Sequence, residues 1–230
     1  MRTVVIAPRF CGPPTSGNGG YSAGLLGREL GGAVEVTLRK PPPLERELEL
    51  RAPGEKGELW DGEELVAEAR PTSVELDVPS PPAFERAFEL SERYVGFQRH
   101  PFPTCFVCGP KRTPGDGLRI FPGGARDGEP VSAPWVPDAD LADTNGVVRP
   151  EILWASLDCP GYFGGAGPEY PRALLGRISA HLRGSVRVGE RCVVMGWSLG
   201  KEGRKLHAGT ALFGEGGDLR ALARQVWLVV

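Results

Sequence analysis

Alternation of apolar and polar residues marks most of this chain and predicts a protein built mainly from β-strands. Neighbouring side chains of a strand point to opposite faces, so a half-buried strand shows a period of two residues. The first part of the chain has this pattern at residues 34–39, 45–51 and 64–69. The second part has it at residues 117–121, 131–135, 177–187, 191–199, 206–213 and 219–229.

One helix is predicted ahead of the strands in each part. The first begins near residues 16–18, and its apolar stripe consists of Tyr21, Leu25, Leu26 and Leu30. It carries no charged residue before Arg28, so we expect it to be buried along most of its length. The second runs from Pro150 to about Asp158. One helix against many antiparallel strands, found twice, is typical of an α+β fold.

Two stretches of the second part match stretches of the first without gaps. Residues 38–50 align with residues 182–194, and residues 65–70 align with residues 219–224. The matches share apolar alternation and a Leu-Arg start, which indicates an internal repeat. A proline-rich connector with a helical patch near residues 83–91 separates the copies. We therefore predict an N-terminal unit with its connector at residues 1–100 and a C-terminal unit at residues 101–230.

Composition excludes several classes of partner. The chain has 230 residues, 40% of them hydrophobic, with a net charge of −2 and a pI near 6.0. These values fit a globular protein and give no broad positive surface for nucleic acid or an anionic membrane. The apolar start is too short for a signal peptide, and five cysteines fit a reducing compartment. We expect a cytoplasmic protein.

Three short motifs in the second part resemble those of a known family. They are the Cys-Phe-Val-Cys-Gly-Pro run at 105–110, the Gly-Asp-Gly-Leu-Arg-Ile run at 115–120 and the Asn-Gly-Val-Val-Arg-Pro run at 145–150. They resemble the start of small bacterial hotdog thioesterases, and residues 18–26 resemble the helix start of the same proteins. As a whole, the chain resembles a fused, double hotdog protein of the acyl-CoA thioesterase-like family.

The resemblance implies a fold, a ligand and an activity. Each of two tandem hotdog units would wrap an antiparallel sheet around a central helix, and the two helices would lie side by side. Acyl thioesters of coenzyme A or of acyl carrier protein would bind between them and be hydrolysed, as in fatty acid metabolism. No cofactor is implied. A homodimer of such double hotdog chains is the assembly that we consider.

The two predicted helix starts differ where thioester chemistry would take place. Gly19 and Gly20 place backbone N–H groups at a helix N-terminus, where they can stabilise an oxyanion, and Asn18 can orient the substrate. Pro150, at the start of the second helix, has no N–H to donate. Asp158, in an otherwise apolar helix, is a candidate general base or nucleophile. The sequence therefore predicts one composite catalytic site per chain.

The resemblance implies a partner for Asp158. In the acyl-CoA thioesterase II group, an aspartate late on the second helix acts with a glutamine on the final strand, and Gln225 resembles that glutamine. Ser179 is the nearest candidate for the hydroxyl residue that completes the group. Structural roles remain open for these residues. Asp158 can cap the helix end, the Gly19–Gly20 pair can permit close helix–sheet packing, and Gln225 can be an ordinary strand residue.

Candidate substrate-binding residues are Tyr21, Arg149 and Trp154. Tyr21 and Trp154 lie on the two predicted helices, and Arg149 precedes the second helix, where its guanidinium can meet phosphate oxygens of coenzyme A. Lys111 and Arg112 can do the same, although solvated surface charge is the alternative.

Other chemistries receive little support from the sequence. Cys105 and Cys108 have the spacing of half a zinc site, but no second pair of cysteine or histidine follows at a usual interval, so we expect no metal. The remaining cysteines, Cys11, Cys159 and Cys192, are isolated in sequence. The chain has no Gly-x-Ser-x-Gly segment, which disfavours a serine hydrolase. Two rival functions remain, a non-catalytic acyl-thioester-binding protein and a hydratase or dehydratase.

Overall fold

A computed structural model describes residues 2–124, 128–167 and 169–230. Its main feature is a ten-stranded antiparallel sheet. The strands are β1 (Arg2–Val5), β2 (Ala33–Leu38), β3 (Glu47–Arg51), β4 (Gly57–Asp61), β5 (Glu64–Pro71), β6 (Val131–Trp135), β7 (Ala173–Leu182), β8 (Cys192–Glu202), β9 (Lys205–Phe213) and β10 (Leu219–Val229). The helices are α1 (Gly19–Leu30), α2 (Phe84–Ser91) and α3 (Pro150–Gly165).

The strand order is the same on both sides of the sheet's centre. The full order is β1-β3-β4-β5-β2-β7-β10-β9-β8-β6. β2 and β7 form the central pair, in which Val36 lies opposite Ile178. The first half consists of β1–β5 and the second of β6–β10. Outward from the central pair, the first half continues with β5, β4, β3 and β1, and the second half continues with the corresponding strands β10, β9, β8 and β6. Each half also has a helix between its first and second strands, α1 in one and α3 in the other.

The amino acids at its ends and along one face explain the position of α1. The Asn18 side chain caps the helix by accepting a hydrogen bond from the Tyr21 N–H at 2.9 Å. Gly31 ends it with a φ of 68°, a conformation that glycine adopts without strain. Gly20, Gly24 and Gly27 face α3. A Cβ at Gly24 would lie 2.6 Å from the Glu151 Cα, so the two helices touch through glycine.

The helix α3 is longer than the sequence predicts. It continues through Pro160 to Gly165 instead of ending near Asp158. Asp158 therefore lies in the middle of the helix and is not a cap. Proline removes one backbone hydrogen bond, but the residues after it pack tightly against the sheet. A Cβ at Gly164 would lie 2.4 Å from the Gly196 carbonyl carbon, so glycine lets this last turn reach β8.

Most predicted elements are confirmed, and one predicted strand is wrong. Residues 117–121 form no strand, because Arg119 has a left-handed φ of 53° that interrupts the extended backbone. The predicted strand at 177–187 is β7, which begins and ends earlier. β1 and β4 have no counterpart among the predicted strands. The elements together give an α+β fold, while the division into units at residue 100 stays a prediction.

The helices α1 and α3 lie together on one face of the sheet, and α2 lies on the other. Ala87 of α2 packs into a separate apolar cluster with Val193, Met195, Trp197, Ala211 and Phe213. The main core surrounds α1 and α3 and includes Leu26 and Trp154, both buried. In the part of the chain that the structure describes, no helix is long and apolar enough to cross a membrane.

Candidate functional site

A cavity of about 230 Å³ opens between the N-terminus of α1, the middle of α3 and the ends of β2 and β7. Its apolar walls include Leu38, Phe102, Tyr162, Phe163, Leu175 and Trp227. Its polar lining includes Asn18 and Asp158, and the exposed side chains of Arg39 and Lys40 also line it. An apolar cavity with a few polar groups at one place is the usual form of a small-molecule site.

Asp158 is a buried carboxylate with one oxygen in use. Its side chain is 1% exposed, and its Oδ2 accepts a hydrogen bond from the Gly20 N–H at 2.9 Å. Its Oδ1 has no hydrogen-bond partner among the described residues. Burial raises the pKa of Asp158 to about 7, against the opposing effects of the Gly20 N–H and the nearby Asn18 amide. Such a carboxyl can exchange a proton near neutral pH.

The first turn of α1 has one backbone donor left over. The Gly20 N–H bonds to Asp158, the Tyr21 N–H to the Asn18 Oδ1, and the Ser22 N–H to the Asn18 carbonyl. The Gly19 N–H has no partner within residues 2–124, 128–167 and 169–230. Gly19 lines the cavity, so the available donor at this helix start is Gly19 alone rather than the Gly19–Gly20 pair.

Gln225 is fully buried behind α3. Its Nε2 donates to the Leu157 carbonyl at 2.6 Å and to the Thr210 Oγ1 at 3.3 Å, and its Oε1 accepts from the Trp227 Nε1 at 2.7 Å. These bonds occupy the amide, and Gln225 does not line the cavity. The hydroxyl of Ser179 donates to Glu35 at 3.2 Å. A catalytic role for Gln225 stays a prediction.

The predicted substrate-binding residues lie outside the cavity lining. Tyr21 stacks on Phe10 with ring centroids 4.1 Å apart, and burial raises its pKa to about 12. Trp154 packs against α1, where a Cβ at Gly27 would lie 2.5 Å from its ring. The Arg149 Nη1 donates to the Ala142 carbonyl at 3.3 Å. Their contact with a substrate stays a prediction.

A cluster of thiols forms a further part of the cavity lining. The sulfur atoms of Cys105, Cys108 and Cys159 all lie within 4.8 Å of one another, and all three residues are buried. The His100 Nε2 is 3.2 Å from the Cys108 Sγ. Hydrogen bonds from the thiols of Cys108 and Cys159 lower the pKa of Cys105 well below its usual range.

Sequence reasoning missed both the convergence of the thiols and the charged residues of the cavity. Cys159 is far from Cys105 in the chain, and only the fold shows that α3 brings them together. Arg39 and Lys40 follow β2 and form ion pairs with Glu68 and Glu64. The signal that could have pointed to them was their position directly after a predicted strand, next to a proline run.

Comparison with known proteins finds similarity in structure only. No family model matches the chain, and no curated protein matches its sequence. A protein with a hot dog fold from Alicyclobacillus acidocaldarius superposes with a TM-score of 0.62 at 13% identity, covering 99% of this chain and 92% of that one. An acyl-CoA thioesterase II, TesB2, from Mycobacterium marinum gives a TM-score of 0.59 at 13% identity, with coverage of 99% and 92%.

A third solved structure agrees with these two. It is a tesB protein from Mycobacterium avium subspecies paratuberculosis, with a TM-score of 0.61, 13% identity and coverage of 99% of this chain and 92% of that one. Likeness at this identity concerns the fold. Since the superpositions cover nearly the whole chain and the observed elements are α+β, this protein has the hotdog fold that its sequence motifs predict.

Proposed function

We propose that the chain is a thioester hydrolase that acts on acyl-CoA or acyl-carrier thioesters at one composite site. The observation that carries the proposal is the pairing of Asp158 with the N-terminus of α1 at the wall of an apolar cavity. One carboxylate oxygen and the Gly19 N–H lack partners there, within the part of the chain that the structure describes. A base and an oxyanion donor beside an acyl-sized cavity are what thioester hydrolysis requires.

The proposal includes two tandem hotdog units fused in one chain. Its support is the matching strand order around the β2–β7 pair and the place of the repeat matches. The first match begins at Leu38, the last residue of β2, and at Leu182, the last residue of β7, and these two strands are equivalent in the strand order. The second match aligns residues of β5 with residues of β10, which are also equivalent strands. Each unit would then contribute one helix to the site.

The reaction follows from the positions of these groups. The acyl chain occupies the apolar cavity, and the thioester oxygen accepts a hydrogen bond from the Gly19 N–H. The free Oδ1 of Asp158 removes a proton from a water molecule, whose oxygen attacks the carbonyl carbon. The tetrahedral intermediate then breaks its carbon–sulfur bond, and the departing thiolate takes the proton from Asp158. The products are a free thiol and a carboxylic acid, which loses its proton to solvent as it leaves.

Charge around the cavity supports a phosphate-bearing carrier. Arg39 and Lys40 line the cavity and carry exposed side chains, so their positive groups can reach the phosphates of coenzyme A or of a carrier's prosthetic group. Their partners, Glu68 and Glu64, hold them in exposed ion pairs that are weak in water. A phosphate can therefore compete for them.

The direct test is turnover of a panel of acyl-CoAs from acetyl to long-chain and aromatic, with release of free thiol as the readout. We expect hydrolysis of some members and saturation by a non-hydrolysable acyl-CoA analogue near one molecule per chain. Absence of turnover across the panel, with the analogue still bound, would favour the non-catalytic binding protein. In that second candidate, the Gly20–Asp158 hydrogen bond would only join α1 to α3.

A further inference from the structure

Three cysteines from two distant segments place their sulfur atoms together in the core. Cys105 and Cys108 belong to the loop before β6, and Cys159 belongs to α3. The Cys105 and Cys159 sulfur atoms are 3.6 Å apart, and the three sulfurs lie within 4.8 Å of one another. The proposed hydrolysis uses none of them. A cluster of buried nucleophilic groups without an assigned role is therefore present beside the acyl cavity.

The spacing of the sulfurs fits a tetrahedral metal ion. Zinc binds thiolate sulfur at about 2.3 Å in tetrahedral geometry, which places two ligand sulfurs roughly 3.8 Å apart. The Cys105–Cys159 distance of 3.6 Å is close to this value, and the limit of 4.8 Å for the whole group requires only small side-chain adjustments. Soft thiolate ligands in this number favour zinc over magnesium or calcium.

Hydrogen-bond donors are directed at two of the three sulfur atoms. The His100 Nδ1 accepts a hydrogen bond from the Phe102 N–H at 2.9 Å. A neutral imidazole in that arrangement carries its proton on Nε2, which lies 3.2 Å from the Cys108 Sγ and so donates to it. The Asn18 Nδ2 is 3.9 Å from the Cys105 Sγ. Donors directed at ligand atoms in this way orient metal ligands and adjust their basicity.

A disulfide explains the cluster less completely. It would join two sulfurs at about 2.0 Å and leave the third thiol buried without a role. The Cys105–Cys159 pair at 3.6 Å and the Cys108 sulfur beside His100 instead form a convergent group of three. Cys105 and Cys108 are close because they belong to one Cys-x-x-Cys segment, but that closeness does not explain why Cys159 of α3 lies beside them.

We propose that Cys105, Cys108 and Cys159 bind one zinc ion through three thiolates, with the fourth position facing the cavity. Each thiol that binds the metal releases its proton to solvent. His100 is a positioning residue that donates to the Cys108 sulfur. Three protein ligands with an open fourth position are the arrangement of zinc sites that also hold a water molecule or a substrate atom. The ion would also fasten the loop that carries Cys105 and Cys108 to α3.

The test measures zinc directly in the full-length chain purified with reducing agent and without chelator. We expect about one zinc per chain by elemental analysis, and cobalt substitution should give the charge-transfer absorption of thiolate-bound tetrahedral Co²⁺. Cys159→Ser should lose the zinc and this absorption. Cys192→Ser is the matched control, since Cys192 is a buried cysteine outside the cluster. Equal zinc in the Cys159→Ser and wild-type proteins would overturn the proposal.

Two further measurements keep the proposal testable if Cys159→Ser does not fold. A chelator should lower the melting temperature of the wild-type protein, and added zinc should restore it. A melting temperature that changes with neither the chelator nor zinc would overturn the proposal. After chelation and denaturation, all five cysteines should react with an alkylating reagent. A disulfide among Cys105, Cys108 and Cys159 in the reduced preparation would also overturn it.

The role of His100 has its own test. His100→Ala should retain the zinc stoichiometry while its zinc affinity falls by about 10- to 100-fold, as when a residue that supports a ligand is removed. His100→Gln, which can still donate an N–H, should recover part of the affinity. Complete loss of zinc in His100→Ala would overturn the positioning role and show that the imidazole is itself a ligand.

Discussion

The helices α1 and α3 occupy equivalent places in the two halves of the sheet, yet they carry different chemistry. Both follow the first strand of their half and precede the second. The first turn of α1 starts with Gly19 and retains a free N–H within the described residues, whereas α3 starts with Pro150, which has none. By contrast, α3 carries Asp158 eight residues after its first residue, and α1 has Gly27 at the same distance from its own start.

The difference shows how a sheet with the same strand order in both halves can support a single site instead of two. The close approach of the helices depends on glycine in α1, since a Cβ at Gly20 would lie 2.7 Å from the Asp158 Cβ. That approach lets the Gly20 N–H reach the Asp158 carboxylate at 2.9 Å. Donors from one helix and an acid from the other therefore meet only because the first helix has almost no side chains on this face.

Replacing Asp158 is expected to have the largest effect. Asp158→Asn keeps the shape of the side chain but removes the general base, so turnover should fall by about 10²- to 10⁴-fold. Glu151→Gln is the control, because Glu151 is a buried carboxylate on the same helix that pairs with Arg28 at 3.0 Å and does not line the cavity. Unchanged turnover in folded Asp158→Asn protein, measured by thiol release, would remove Asp158 from the mechanism.

Replacing Gly19 with proline, the residue that begins α3, should have the next largest effect. Gly19→Pro places proline at the first helical position, which tolerates it, but removes the N–H that is proposed to meet the oxyanion. The loss of one such donor typically costs about 10²- to 10³-fold in kcat. Gly19→Ala keeps the N–H while adding a Cβ against Leu175, so it measures the steric effect alone. Equal losses in the two variants would contradict the role of Gly19 as a donor.

Separating the helices should reduce stability. A Cβ at Gly24 would lie 2.6 Å from the Glu151 Cα, so Gly24→Ala forces α1 and α3 apart at a cost of about 1–3 kcal/mol. For a chain of this size, that corresponds to a drop of roughly 2–12 °C in melting temperature. Gly57→Ala is the comparison, since its nearest new contacts are side-chain atoms at 3.3 Å. The melting temperatures are measured by calorimetry. A larger drop in melting temperature for Gly57→Ala than for Gly24→Ala would contradict the tight contact between α1 and α3.

Many of the strands and helices could be predicted from the sequence because they depend on local sequence pattern. Alternation identifies the last strands, β9 and β10, and the Asn18 cap marks the start of α1. β1 escapes notice because it is a short edge strand, and β4 has little apolar alternation. The extension of α3 beyond Pro160 could not be predicted, since it depends on packing of Gly161 and Gly164 against the sheet rather than on helix propensity.

The site was predictable in part for the same reason. The sequence indicates Asp158 and the glycines of α1 as an acid and a helix start, but their contact is a property of the folded chain. In the structure, the Gly20 N–H donates to Asp158, so the N–H available to a substrate is that of Gly19. The spacing rule for zinc sites disfavours Cys105 and Cys108, because it considers neighbours along the chain, whereas Cys159 lies far along the chain in α3.

The charged residues of the cavity should show the smallest effect, and they extend the comparison from the helices to the strands that follow them. Arg39 and Lys40 lie just beyond β2, whereas Arg183 and Gly184 lie just beyond the equivalent β7. If only the first half holds the carrier's phosphates, Arg39→Ala and Lys40→Ala should each raise KM for acyl-CoA by up to about fivefold, the worth of one exposed charge contact. kcat should stay unchanged, and so should KM for a short thioester without phosphate. Arg183→Ala, the matched control, should leave KM for acyl-CoA unaltered; an equal rise in this variant, or a rise for both substrates in Arg39→Ala, would place the phosphate contact elsewhere.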